Sequence, residues 1–241
     1  MELKYLVTGT GRCGTVFLAR FLTSIGITCG HESVFSYEGL DNALQVLSGL
    51  KKPVLSKIST TCFKNNKWMP EVQWIDNVEN IVAESSYMSA PFLNHEKLKD
   101  TKIIHLVRNP IKVVESFCNI NYFCDKKPNN EWEEFIYSHA PELTNDLNQI
   151  DRCCLYYIIW NNKIEKNKIN LFFKLEEKID KLFNFLNIKN NNNYFSEKIN
   201  GIWNKIDKKF DINSISDSKI LFEFVQIGKK YGYSMIGNKL L

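Results

Sequence analysis

The feature that most constrains this chain is the way it opens. Tyr5-Leu6-Val7 is a short apolar run that ends in a glycine-rich turn, Gly9-Thr10-Gly11-Arg12-Cys13-Gly14. Apolar residues then recur at 17, 18, 21, 22 and 25, one face of a helix that Gly26 would stop. Strand, glycine loop and helix in that order begin a parallel α/β unit. They also make a natural anion site, because backbone N–H groups and the positive end of the helix dipole face one point. Arg12 adds a fixed charge inside the loop. The plainer alternative is that the glycines only permit a tight turn.

The alternation continues along the chain. Short extended stretches are expected at 27–30, 54–58 and 78–84, the last around Ile81-Val82-Ala83, and a helix over 40–47. The clearest strand is 102–108, Lys-Ile-Ile-His-Leu-Val-Arg. Asn109-Pro110 ends it, and Pro110 suits the first turn of a helix running to about residue 121. Helix-like spacing covers 141–166, a strand 171–173, and helices 176–186 and 220–225. The Asn run 190–193 reads as a surface loop. The expectation is an α/β fold with a mainly parallel sheet flanked by helices, a helical insertion over 119–168, and one domain spanning 1–241.

Composition removes several classes. Lys plus Arg is 31 and Asp plus Glu is 27, a net charge of +4, too mild to argue for a nucleic-acid partner. Seven cysteines, two of them adjacent and none in a C-x-x-C, fit neither a disulfide framework nor a zinc ribbon. Reduced thiols in a cytoplasmic setting are expected. The apolar runs are far shorter than the ~20 residues of a membrane span. The first residues lack the pattern of a signal peptide. The four histidines show no metal-binding spacing.

Gly9-x4-Gly14 has the glycine frame of a nucleotide P-loop, but Thr15 and Val16 follow where Lys and Ser or Thr belong. A kinase or NTPase with a degenerate loop is therefore the alternative rather than the first reading. The positive charge sits instead at Arg12. Arg12-Cys13-Gly14-Thr15 resembles the (Lys/Arg)-Ser-Gly-Thr loop of sulfotransferases that use 3′-phosphoadenosine-5′-phosphosulfate (PAPS). The resemblance implies a P-loop-like fold and a 5′-phosphosulfate held by Gly11, Arg12, Cys13, Gly14, Thr15 and Val16. Arg12 would also polarise the bridging oxygen as the sulfonyl group leaves. Cys13 stands where Ser is usual, and Val16 where a second Thr is common, so each removes a possible hydroxyl contact.

Arg108-Asn109-Pro110 and Ser116 extend the resemblance. The family holds the 3′-phosphate of PAPS through a strand-ending Arg-x-Pro and a Ser eight residues after the Arg, the spacing found here. An arginine offers a planar fork to a phosphate. Taken singly, Arg108 could be a surface ion pair and Ser116 a helix serine bonded to its own backbone. The segments 81–88, 160–161 with 171–176, and 230–233 are similar to the family at lower specificity, nearest its bacterial, viral and carbohydrate-modifying branches.

Sulfonyl transfer to a hydroxyl needs a base and stabilisation of the leaving phosphate. Gly30-His31-Glu32 resembles the Gly-x-Glu segment that supplies a glutamate base in carbohydrate sulfotransferases. Glu32 is the expected base and His31 its rival, since a histidine titrates nearer neutrality. His105, mid-strand among apolar residues, reads as a core histidine. Tyr156, Tyr157 and Trp160 read as core. The implied reaction moves the sulfonyl group of PAPS to a small-molecule or carbohydrate hydroxyl and leaves 3′-phosphoadenosine-5′-phosphate (PAP). A non-catalytic nucleotide-binding protein stays open beside it. The acceptor and the oligomeric state carry no motif.

Overall fold

The computed structural model describes residues 2–53, 60–64, 67–71, 81–189 and 210–235. Its main sheet has five parallel strands: β1 (Tyr5–Gly9), β2 (Cys29–His31), β5 (Ala83–Ser85), β6 (Lys102–Val107) and β7 (Leu171–Lys174). The order is β2-β5-β1-β6-β7, with β1 in the centre. A separate antiparallel hairpin pairs β3 (Thr60–Lys64) with β4 (Lys67–Glu71). The helices are α1 (Thr15–Ser24), α2 (Gly39–Leu47), α3 (Pro110–Asn119), α4 (Glu131–His139), α5 (Gln149–Glu165), α6 (Asp180–Leu186) and α7 (Ser218–Lys230).

Period-two alternation along the central strands builds a core on each face. Ile103 and Val107 of β6 join Leu6 of β1 on one face; Ile104 and Leu106 join Val7 on the other. The second face is covered by Leu18, Phe21 and Leu22 of α1 and by Leu182, Phe183 and Leu186 of α6. The first is covered by Val113, Val114 and Phe117 of α3, by α5 and by α7. His105 lies on that first face, hydrogen-bonded to Asn161 Oδ1 at 2.9 Å and set edge-on to Phe172 and Tyr231. It is a core histidine, as its surroundings in sequence suggest, and burial lowers its pKa.

Parallel pairing brings the C-terminal ends of β2, β5, β1 and β6 to one edge, with His31 beside Ser85 and Gly9 beside Leu106. The chain places β2 and β5 on one side of β1 and β6 and β7 on the other. The loop after β1 therefore opens where the winding reverses, the usual place for a ligand in an open α/β sheet.

Some expectations shift. Of the stretch 119–168 expected as an insertion, α5 is one of the flanking helices, with Trp160 Nε1 donating to the Tyr87 carbonyl at 2.8 Å. The helical spacing over 141–166 is interrupted. Pro141–Thr144 is a single 3₁₀ turn, and α5 begins afresh where Asn148 caps it by accepting from the Asp151 N–H at 2.9 Å. The strand expected around Ile81 lies two residues later, at Ala83–Ser85. The stretch 54–58 and the Asn run 190–193 lie outside the described residues.

Gly9 ends β1 under the β6 backbone. A Cβ there would run into the Leu106 carbonyl oxygen and lie 2.6 Å from Cys13 Sγ. Gly9→Ala is expected to destabilise the protein by about 1–3 kcal/mol, read as a lowered urea midpoint at unchanged m-value.

Candidate active site

The loop between β1 and α1 turns through two left-handed residues, Arg12 (φ 66°) and Gly14 (φ 107°). A side chain at Gly14 would strain that turn and would bring its Cβ to 2.9 Å from Leu175 Cδ1. Gly14 is also the N-cap of α1, and no side chain caps it. Gly14 therefore supplies no side-chain cap, the Thr15 N–H faces the Cys13 sulfur, and the positive end of the α1 dipole lies at this loop. Cys13 does not present its thiol to this space. Its side chain is fully buried, and burial pushes the thiol up to about 12, so it is a neutral packing group. The Gly11 N–H is taken by the Tyr156 hydroxyl of α5, at 2.9 Å. Val16 is part-exposed at the start of the helix, and Thr15 is buried.

Arg108 and Ser116 come to the same loop. Arg12 Nε donates to Ser116 Oγ at 2.8 Å, and Arg108 Nη1 donates to the Arg12 carbonyl at 3.1 Å. The Arg108 carbonyl in turn accepts from the Tyr157 hydroxyl at 3.1 Å. Burial lowers the Arg12 pKa, and the Arg108 charge lowers it further. Neither guanidinium forms an ion pair with a carboxylate among the described residues. The corner is propped from behind. The Asn109 side chain caps α3 by accepting from the Ile111 N–H at 2.9 Å. The Asn109 N–H donates to Glu176 Oε1 at 3.0 Å, and Tyr233 donates to Glu176 Oε2 at 2.7 Å.

His31 ends β2 and Glu32 follows it on this edge. His31 Nε2 lies 3.3 Å from Thr15 Oγ1 and 3.7 Å from Glu32 Oε1. Burial, helped by the Arg20 charge, lowers the His31 pKa to about 4. At neutral pH His31 is uncharged, so its contact with Glu32 is not an ion pair. Glu32 has a left-handed backbone (φ 53°) and accepts from Trp132 Nε1 of α4 at 3.4 Å. Burial raises its pKa to about 7, with the Trp132 bond opposing.

The end of β5 ties the segments together. Glu84 Oε1 accepts from the N–H groups of Ser33 (2.8 Å), Val34 (3.0 Å) and Phe35 (3.4 Å). Ser85 donates to the Thr15 carbonyl and Ser86 to the Phe35 carbonyl, each at 2.8 Å. The contacts of Tyr156, Trp132 and Glu84 to Ser86 could not be read from the sequence, because their partners are remote in the chain. Removing the Tyr156 hydroxyl leaves the buried Gly11 N–H without its acceptor. Tyr156→Phe is expected to cost about 1–3 kcal/mol, measured by urea denaturation.

Among the described residues no group of His, Cys, Asp and Glu could hold a metal ion, and no helix is long and apolar enough to cross a membrane. No curated protein matches the chain. The family model described as sulfotransferase domain matches residues 3–147, which contain the β1 loop, the His31-Glu32 segment and the Arg108–Ser116 corner. That match covers more than half of the 241 residues, and the chain belongs to the PAPS-dependent sulfotransferase family.

Proposed function

We propose that the protein transfers the sulfonyl group of PAPS to a hydroxyl of a small-molecule or carbohydrate acceptor, by in-line displacement with Glu32 as general base. The observation that carries this reading is the meeting of Arg12 and Arg108 on one loop, with no carboxylate between them, at an uncapped helix N-terminus. Two mutually repelling guanidiniums in a part-buried corner fit a polyanion. Membership of the family supports the general chemistry.

Bound there, PAPS would supply the sulfonyl group and a bisphosphate leaving group. Arg12 and the first N–H groups of α1 would face the 5′-phosphosulfate, where negative charge grows as the sulfur–oxygen bond breaks. Arg108 would offer its planar fork to the 3′-phosphate. Ser116 Oγ accepts from Arg12 and keeps its own proton to donate to the same phosphate. Thr15 borders the loop on the side facing His31.

The choice between the two bases follows from their surroundings. A proton acceptor works best with a pKa near the working pH. Glu32, raised to about 7, meets that condition, whereas His31, lowered to about 4, is a weak base that serves better as a hydrogen-bond partner of the loop. Glu32 takes the acceptor proton only when ionised, so kcat/KM should rise with pH through about 7 and fall on the acid side.

The first test is calorimetric binding of PAP, with ADP and ATP–magnesium as comparisons. Metal-independent binding that requires the 3′-phosphate is expected, weakened about 10- to 100-fold by Arg12→Ala and by Arg108→Ala. A preference for ATP with magnesium, or affinity unchanged in the double variant, would overturn the site. Glu32→Gln should lower kcat by about 10²- to 10⁴-fold while PAP affinity holds. Full turnover in the Glu32→Gln, His31→Ala double variant would remove the base assignment and leave the donor assignment standing. PAP binding without turnover on any hydroxyl acceptor would favour a non-catalytic protein.

A further inference from the structure

Glu84 is a fully buried carboxyl in the middle of β5, level with Gly30 of β2 on one side and Leu6 of β1 on the other. It has no cationic partner among the described residues. All three of its bonds come from consecutive backbone N–H groups, those of Ser33, Val34 and Phe35, and all reach one oxygen, Oε1. The other oxygen, Oε2, is buried without a hydrogen-bond partner. It fills the space where a side chain at residue 30 would start, since a Cβ on Gly30 would collide with it. A buried carboxyl with half its capacity unused is costly as a packing group.

What Glu84 holds is the turn that presents Glu32. Glu32 has φ 53°, a conformation that costs a glutamate about 1 kcal/mol or more and persists only where neighbours over-determine it. The three residues after it are gripped through their N–H groups by Glu84, and the Phe35 carbonyl is gripped by Ser86 Oγ. We propose that Glu84 is a positioning residue for the base: by binding the backbone of residues 33–35 it keeps Glu32 in its left-handed conformation, desolvated against Trp132 and beside the β1 loop. The proposal rests on Glu32 being the base. It gives Glu84 no contact with acceptor or donor.

The protonation of Glu84 is consistent with that role. Burial raises its pKa to about 8, against the pull of the three N–H groups, and the nearby Glu32 charge raises it further. Near neutral pH it is largely a carboxylic acid whose carbonyl oxygen accepts the N–H bonds. It then places no second negative charge next to an ionising Glu32. Among the described residues, the other titratable groups facing Glu32 are His31, Tyr87, Tyr122 and Tyr156.

The test follows the Glu32 carboxyl by carbon-13 NMR in protein labelled at the glutamate side chains, assigned with Glu32→Gln. Wild type, Glu84→Gln and Glu84→Ala are compared, with PAP affinity measured by calorimetry on the same samples. Glu84→Gln keeps an acceptor oxygen and the shape, so its Glu32 midpoint should stay within about half a unit of wild type. Glu84→Ala frees the turn and should move the midpoint down by about one unit or more as water reaches Glu32. PAP affinity should stay within about twofold in both. An unmoved midpoint in Glu84→Ala, equal shifts in both variants, or a parallel loss of PAP affinity would overturn the proposal. If Glu84→Ala does not fold, Ser86→Ala loosens the same turn at Phe35 and should lower the midpoint; an unmoved midpoint there overturns the proposal equally. Wild type that fails to bind PAP would sink the donor reading, while the midpoint comparison would still decide the role of Glu84.

Discussion

Two positive charges drawn together on one short loop set the terms for everything around them. Arg12 and Arg108 repel each other, and among the described residues neither forms an ion pair with a carboxylate. Neutral groups hold them instead: a serine hydroxyl for Arg12, the Arg12 carbonyl for Arg108, and a tyrosine hydroxyl on the Arg108 carbonyl. Such an arrangement keeps the guanidiniums oriented without neutralising them. A carboxylate in their place would make a tighter ion pair and a poorer receptor for an anion, since the ligand would first have to displace it. The fold meets the cost of the unpaired charges elsewhere, through the two packed faces of the sheet.

The acidic half of the edge is arranged on the opposite logic. Glu32 and Glu84 are shielded from water, and each is pushed toward its neutral form by burial. The basic half is thus charged, while near neutral pH Glu84 is mostly protonated and Glu32 is close to its midpoint. Ser85, between Glu84 and Ser86, binds the Thr15 carbonyl at the start of α1. One stretch of β5 therefore touches both halves and fixes their separation.

How much of this could be read from the chain depended on distance along it. The loop 9–14 and the Arg108–Ser116 spacing are local patterns on a strand and the helix that follows, so residue types and intervals were enough. Tyr156 was legible only as a core aromatic, because its partner, the Gly11 N–H, lies 145 residues away. Glu84 was legible only as part of the segment 81–88 that resembles the family's central strand; its value comes from a parallel register that sets Gly30 beside it. Cys13, expected in the loop but without the hydroxyl contact a serine would give, turns its more apolar thiol into the core. The helix α4 falls in the stretch 119–168 expected to be helical, but its bounds were not legible because Trp132, Phe135 and Ile136 are interleaved with glutamates, although Asn130 caps it and its first turn is acidic. Pro70 concealed the strand β4, since proline argues against strand interiors.

The props behind the Arg12–Arg108 corner come from beyond residue 147, where the family match ends. Tyr156 and Tyr157 stand on α5, Glu176 follows β7, and Tyr233 follows α7. The tail of the chain is therefore a buttress rather than an appendage. A fragment trimmed to the matched segment would keep the β1 loop, His31-Glu32 and the Arg108–Ser116 spacing and lose the side chains that support them. In this protein the end of the matched segment and the end of the scaffold that supports the loop do not coincide.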